Sequence, residues 1–126
     1  MLKAINHSDR PAPAAYSQAI EATGVSRMLF ISGQVGTAAD GSVPEGVGEQ
    51  ARLAIANMNA LLEQAGMTNR NLAKVTIYLT DESNLPEFMS AGGGSLPSTP
   101  PATTLLIVRA LADPRLLVEI EAIAVA

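Results

Sequence analysis

The feature that most constrains the fold is one long amphipathic segment, residues 45–65. Its apolar side chains recur at steps of three and four, which places them in one stripe along a helix. That stripe comprises Val47, Ala51, Ala54, Ile55, Met58, Leu61, Leu62 and Ala65. Glu45 and Glu49 stand in the predicted first turn, where the helix dipole favours acidic side chains, and Gly66 follows as a C-cap. Such a helix has to bury its stripe against another element of the chain.

Short apolar segments predict the sheet that covers this helix. The predicted strands are 16–22, 28–32, 72–80, 103–110 and 116–125. We expect the first two to form a hairpin, with the chain leaving the sheet at Ser32-Gly33-Gln34. A second, shorter helix is predicted over 84–91, capped by Asp81 or Ser83 and ending at or within Gly92-Gly93-Gly94. The order ββαβαββ predicts a single α+β domain over residues 1–126, with both helices on one sheet face.

Composition excludes several kinds of site. The chain has no cysteine and one histidine, His7, so disulfides, thiolate nucleophiles and Cys- or His-built metal sites are not expected. The net charge is −4, and only Arg109 and Arg115 are basic after Lys74, which argues against nucleic acid as a partner. No apolar run approaches the roughly 20 residues that span a bilayer, and the polar start lacks a signal peptide. We therefore expect a cytoplasmic protein without a membrane partner.

The last predicted strand points to self-association and to an acidic site. The strand is rich in aliphatic residues on both faces, and 48% of the 126 residues of the chain are hydrophobic. A domain of this size buries only part of its surface, so we expect a neighbouring subunit to cover the face that the helices leave open. Glu119 and Glu121 project to the same side of this strand. One interpretation is a general acid or base with a raised pKa. The other is a strand rim whose carboxylates are solvated or salt-bridged.

Other polar residues admit both a binding role and an ordinary structural one. Tyr16 either closes a pocket or packs at a sheet edge. Ser32 either binds a ligand or bonds the turn backbone beside Gly33. Thr103 and Thr104 start a strand, where threonine is common. No Gly-rich phosphate loop is present in the sequence.

Several segments, taken in order, resemble the RidA/YjgF (Rid) family. They run from about residue 10 to the C-terminus. The segments are Pro13-Ala14-Ala15-Tyr16-Ser17-Gln18-Ala19, Phe30-Ile31-Ser32-Gly33-Gln34, Glu49-Gln50-Ala51-Arg52, Lys74-Val75-Thr76-Ile77-Tyr78-Leu79, Pro101-Ala102 and Val118-Glu119-Ile120-Glu121-Ala122-Ile123-Ala124.

The resemblance implies a chorismate mutase-like α+β fold with a mixed sheet, and a homotrimer with three ligand clefts between subunits. Family members of the archetypal kind hydrolyse enamines and imines such as 2-aminoacrylate to 2-oxo acids and ammonia, without a metal or organic cofactor. By resemblance, Glu119 matches the catalytic glutamate. Tyr16, Ser32 and Gly33 match residues that line the small-molecule ligand.

The resemblance fails at three positions of the implied pocket. Thr103 stands where the family has an arginine after Pro-Ala, Met89 where it has an asparagine, and Gly92 where it has a bulky residue. The arginine would fork onto a substrate carboxylate. Arg109 lies six residues further along the predicted strand, about 20 Å at roughly 3.3 Å per residue, so it cannot replace that arginine. We expect weak or no activity on 2-iminopropanoate.

Three hypotheses remain open at this point. The first is a hydrolase that uses Glu119 and water on an imine, enamine or related C–N bond. The second is a non-catalytic trimer that binds a metabolite or a partner protein, which the missing arginine favours. The third is a ribonuclease, against which the acidic balance argues.

Overall fold

A computed structural model describes residues 1–92 and 97–126 of the chain. In chain order the elements are β1 (Leu2–Ile5), β2 (Ala19–Ala22), β3 (Met28–Val35), α1 (Val47–Gln64), β4 (Leu72–Leu79), α2 (Leu85–Gly92), β5 (Ala102–Ile107) and β6 (Val118–Val125). Short 3-10 helices at Asn69–Asn71 and Glu82–Asn84 precede β4 and α2.

The main sheet has the strand order β3-β6-β4-β5. β6 runs antiparallel to both β3 and β4, whereas β4 and β5 are parallel, so the sheet is mixed. β1 and β2 form a separate two-stranded antiparallel sheet. The prediction of an α+β fold with a mixed sheet and two helices is confirmed.

The apolar stripe of α1 fills the core as its spacing predicts. Ala51, Ala54 and Leu62 are completely buried, and they belong to one core cluster with Val118 and Ile120 of β6. The observed helix lies within two residues of the predicted bounds. Gly66 follows it with φ of +69°, a conformation that glycine adopts without the strain of a side chain.

One buried polar residue of α1 ties the helix to the approach to β6. Gln50 is 1% exposed. Its Nε2 donates to the carbonyls of Pro44 and Arg115, both at 3.0 Å, and its Oε1 accepts from the Leu117 N–H at 2.8 Å. Gln50 thus fixes the segment immediately before the strand that carries Glu119.

The predicted N-terminal hairpin is wrong. β2 pairs with β1, a strand that was not predicted, and the order is therefore βββαβαββ. The segment between β2 and β3 was expected to form the turn of that hairpin. Instead, the N–H groups of Ser26 and Arg27 both donate to the carbonyl of Ala126, just beyond the end of β6. That contact aligns β3 with β6.

Other boundaries differ from the predictions because backbone pairing continues or stops elsewhere. β3 runs on through a bulge between Ile31 and Gln34 instead of leaving the sheet at Ser32. β5 ends at Ile107, and it does not pair with β6, because β4 lies between them. α2 includes Gly92, whereas Gly93 and Gly94 lie outside the described residues, so the predicted end of this helix within the triplet is tested only at Gly92.

Candidate functional site

The predicted site residues divide between the two faces of the main sheet. We call the side covered by α1 and α2 the helix face and the opposite side the open face. Thr103 lies on the helix face, since it pairs with buried Val75 and lines a pocket with side chains of both helices. Glu119 lies on the open face, in register with Tyr78. Within one chain the two residues are therefore on opposite sides of the sheet.

The open-face group consists of Ser32, Gly33 and Glu119. The Glu119 side chain lies against the backbone of Gly33 at the bulge of β3. A Cβ atom on Gly33 would lie within 2.5 Å of Glu119 Cδ, so a larger residue would displace the carboxylate. The absence of a side chain at Gly33 thus lets the flexible Glu119 carboxylate lie beside the Ser32-Gly33 segment.

The two carboxylates of β6 have different surroundings. The Tyr78 hydroxyl donates a short hydrogen bond to Glu121 Oε1. That hydrogen bond, together with desolvation and the negative charges of Glu121 and Glu119, raises the pKa of Tyr78. Among residues 1–92 and 97–126, the Glu119 carboxylate has no hydrogen-bond or ion-pair partner. Glu119 is half-buried. Because no side chain engages its carboxylate, the carboxylate is available to a water molecule or a ligand.

A shallow open-face pocket adjoins this group. It encloses about 340 Å³ and is lined in part by Ser32, Lys74, Thr76 and Glu121. Lys74 Nζ donates to Thr104 Oγ1 at 2.7 Å, so a cation lies on this face. Lys74, Thr76 and Tyr78 were not among the predicted site residues. Their alternation with Val75, Ile77 and Leu79 was the available signal, because alternate residues of a strand share a face.

The open face also carries large apolar side chains in contact with solvent. Phe30 is 68% exposed, Met28 is 55% exposed and Leu106 is 47% exposed. Phe30 and Met28 lie on β3 in register with Ile123 and Val125 of β6. An exposed group of this kind, beside polar residues, is typical of a surface that binds another molecule.

Tyr16, Met89 and Thr103 line a second pocket, on the helix face, which encloses about 460 Å³. We call it the helix-face pocket. Tyr16 is held beside β5 because the N–H of Ser17 donates to the Pro101 carbonyl at 3.0 Å. Gly92 also lines the pocket.

Neither arginine near the C-terminus lines these two pockets. Arg109 lies beyond the end of β5 and is exposed. Arg115 is exposed and pairs with Asp113, with Nη2 2.8 Å from Oδ2. This pairing lowers the pKa of Asp113 to about 2.

Within residues 1–92 and 97–126, no three His, Cys, Asp or Glu side chains are grouped so as to hold a metal ion. No helix in these ranges has the length and apolar character needed to cross a bilayer.

The chain is similar to solved structures over nearly its whole length. It superposes on the Rid-family protein YyfB from Yersinia pestis, a protein of unknown function, with a TM-score of 0.86, 30% identity and coverage of 99% and 98% of the two chains. It superposes on RidA from Psychrobacter sp. with a TM-score of 0.76, 33% identity and coverage of 91% and 94%.

Sequence comparisons agree with the structural ones. The 2-iminobutanoate/2-iminopropanoate deaminase of Bos taurus is 37% identical over 94% of this chain and 87% of its own. A RutC family protein of Pasteurella multocida is 34% identical over 94% of this chain and 95% of its own. The family model described as endoribonuclease L-PSP matches residues 7–126. The chain therefore belongs to the RidA/YjgF family.

Proposed function

We propose that this chain is the subunit of a homotrimer with small-molecule clefts between its subunits, in which Glu119 directs hydrolysis of an imine, enamine or related C–N bond. The single observation that carries the proposal is the Glu119 carboxylate, which lies against Gly33 without a partner in the described part of the chain. Glu121, its neighbour on the strand, is engaged by Tyr78.

The division of the site between two sheet faces supports the trimer. Glu119 and Thr103 cannot meet within one chain, because the sheet lies between them. A neighbouring subunit would have to bring its Glu119 to the rim of the helix-face pocket. The exposed Phe30 and Met28 supply apolar surface for such an interface.

The proposed reaction needs only water and a carboxylate. Glu119 accepts a proton from water as the oxygen attacks the imine carbon, and the C=N bond becomes a C–N single bond. Glu119 returns this proton to nitrogen, which gives a neutral carbinolamine. Glu119 then carries the hydroxyl proton of the carbinolamine to nitrogen as the C–N bond breaks, so that a carbonyl compound and ammonia leave. An enamine enters this sequence as its imine tautomer. No redox change occurs, so no redox cofactor takes part.

Thr103 restricts the substrate. A threonine hydroxyl cannot form the two charge-assisted hydrogen bonds that an arginine makes to a carboxylate, each of about 1.5–3 kcal/mol. A loss of this size corresponds to a factor of order 10² to 10⁴ in binding. The natural substrate is therefore one whose recognition does not depend on a carboxylate at this position.

The enzymatic test compares the wild type with Thr103→Arg and Glu119→Gln on 2-aminoacrylate generated enzymatically. We expect a slow wild type, a faster Thr103→Arg variant, and no activity when Glu119→Gln is added to Thr103→Arg. A fast wild type would show that another group holds the carboxylate. Full activity of Glu119→Gln variants would remove the catalytic role of Glu119.

The trimer has a test of its own. Light scattering at micromolar concentration should give three times the subunit mass of 13.0 kDa. A monomer would remove the cleft between subunits, and with it the meeting of Glu119 and Thr103.

A non-catalytic binding protein is the second candidate, and Thr103 is the observation that favours it. A thermal-shift screen of metabolites, followed by a turnover assay on each hit, separates the two: stabilisation without turnover supports binding alone. The net charge of −4 disfavours the ribonuclease hypothesis, which strong salt-sensitive RNA binding would restore.

A further inference from the structure

The helix-face pocket has a preformed apolar wall. α1 packs over β3 and β6, and α2 packs against α1, so the helix side of β4 and β5 is left as the floor of the pocket. Side chains of the packed core form the wall, and each is at most 7% exposed: Met58, Leu72, Val75, Phe88 and Ile120. Because these residues belong to the core, the wall exists before any ligand arrives.

The pocket is also without charge. Among the described residues that line it, none is Asp, Glu, Lys, Arg or His. Its polar groups belong to Tyr16, Asn59, Asn69 and Thr103. The Thr103 hydroxyl already donates to the Pro101 carbonyl at 3.1 Å. A carboxylate placed here would lose its hydration without gaining a cationic partner, which is strongly unfavourable.

We infer that the helix-face pocket binds an uncharged aliphatic or aromatic group, and that the substrates are imines or enamines that carry such a group and no carboxylate. The volume of about 460 Å³ lies within the range of about 300–1,000 Å³ typical of small-molecule sites. A two- or three-carbon imine would leave most of it unfilled. This inference rests on the proposed function, because Tyr16, Met89 and Thr103 belong to both.

The first test measures binding alone, with two dyes that share one skeleton. N-phenyl-1-naphthylamine is neutral, and 8-anilino-1-naphthalenesulfonate adds a single negative charge. In a fluorescence titration of the full chain, we expect saturable binding of the neutral dye and at least about tenfold weaker binding of the sulfonate, since the pocket offers no cation. Equal affinities, or no binding of the neutral dye, overturn the inference.

Variants place the dye in the pocket. Thr103→Arg puts a charge into the wall and should weaken binding of the neutral dye by about tenfold or more, whereas Thr103→Val should retain it. Thr23→Arg, at an exposed position that does not line the pocket, is the matched control. Met89→Glu at the 45%-exposed rim gives a second charged variant with little effect on the core. Unchanged affinity in both charged variants, each folded by circular dichroism, contradicts the assignment.

The second test measures turnover with two imines. Flavin-dependent oxidases generate 2-phenylethanimine from 2-phenylethylamine and 2-iminopropanoate from alanine, and released ammonia is followed in both cases. We expect kcat/KM to favour the aromatic imine by about tenfold or more, and Thr103→Arg to reverse the order. Preference of the wild type for 2-iminopropanoate overturns the inference while leaving the hydrolase proposal intact. Dye binding with no hydrolysis of either imine leaves the apolar site standing and counts against the hydrolase.

Discussion

The two faces of the main sheet are built from the same four strands and have opposite chemistry. On the helix face, Val118, Ile120 and Ala122 of β6 are buried under α1, together with an uncharged pocket beside β4 and β5. On the open face, the intervening Glu119 and Glu121 stand beside lysine and tyrosine. Core residues and the polar residues of the open face therefore alternate along β6, so that a one-residue shift in register would move both sets to the wrong face.

The two phenylalanines of the chain give the largest contrast between the faces. Phe88 is 5% exposed on the helix face and Phe30 is 68% exposed on the open face. Phe88→Ala should lower the free energy of unfolding by about 3–5 kcal/mol at any protein concentration. Phe30→Ala should act through association, so its destabilisation should depend on protein concentration. Urea denaturation at several protein concentrations measures both effects. Equal losses of stability that do not depend on protein concentration would contradict the predicted difference between the two phenylalanines.

Gln50 is a buried polar residue on the otherwise apolar helix face. Its three buried hydrogen bonds lie at the start of the segment that leads into β6. Gln50→Ala should cost about 2–4 kcal/mol, because it leaves two carbonyls and one N–H without partners. Gln64→Ala, at the exposed end of α1, is the matched control and should change stability by less than about 0.5 kcal/mol. Thermal and urea unfolding measure the change in stability of both variants. A small change for Gln50→Ala would contradict the prediction and would mean that water replaces the lost hydrogen bonds.

Gly33 tests the open face through activity more than stability. Gly33→Ala should push the Glu119 carboxylate away from the bulge, since the new Cβ would lie within 2.5 Å of Glu119 Cδ. We expect turnover of the preferred imine to fall by about tenfold to a hundredfold with a small change in stability, because a displaced catalytic group is costly. Combined with Glu119→Gln, the substitution should cause no further loss. Additive losses would show that Gly33 acts independently of Glu119.

Tyr78 gives the smallest effect and sharpens the difference between the two carboxylates. The hydrogen bond to Glu121 raises the pKa of Tyr78 above the ordinary value of about 10. Since the folded pKa is the higher one, this contribution to stability is complete below about pH 10 and is lost as the pH rises through the raised value. In a pH titration followed by tyrosinate absorbance, the wild type should show one tyrosine that ionises above the ordinary pH, and Tyr78→Phe should lack it. Tyr16→Phe is the control and should retain this high-pH ionisation. Its loss in Tyr16→Phe would assign the ionisation to Tyr16 and contradict the prediction.

The sequence predicted the parts of this protein whose signal is local. The stripe of α1, the alternation of β4 and the capping Gly66 give the right elements within a residue or two, because helix and strand periods are read from neighbouring positions. The ordered motifs predicted the family, and they named Glu119 and Gly33, whose close approach the structure shows. β1 was missed, since a four-residue strand with exposed alternate side chains carries little periodic signal.

The pairing of strands and the division of the site were decided only in three dimensions. Ser26 and Arg27 donate to the carbonyl of the last residue, about a hundred positions away in sequence, and this contact excludes the expected hairpin. The alternation in β6 predicted that Glu119 and Glu121 share a face. It did not say that Tyr78 would engage one and leave the other free. Periodicity determines which residues share a face of an element, whereas long-range backbone pairing determines which faces meet, because register is a property of two strands and not of one.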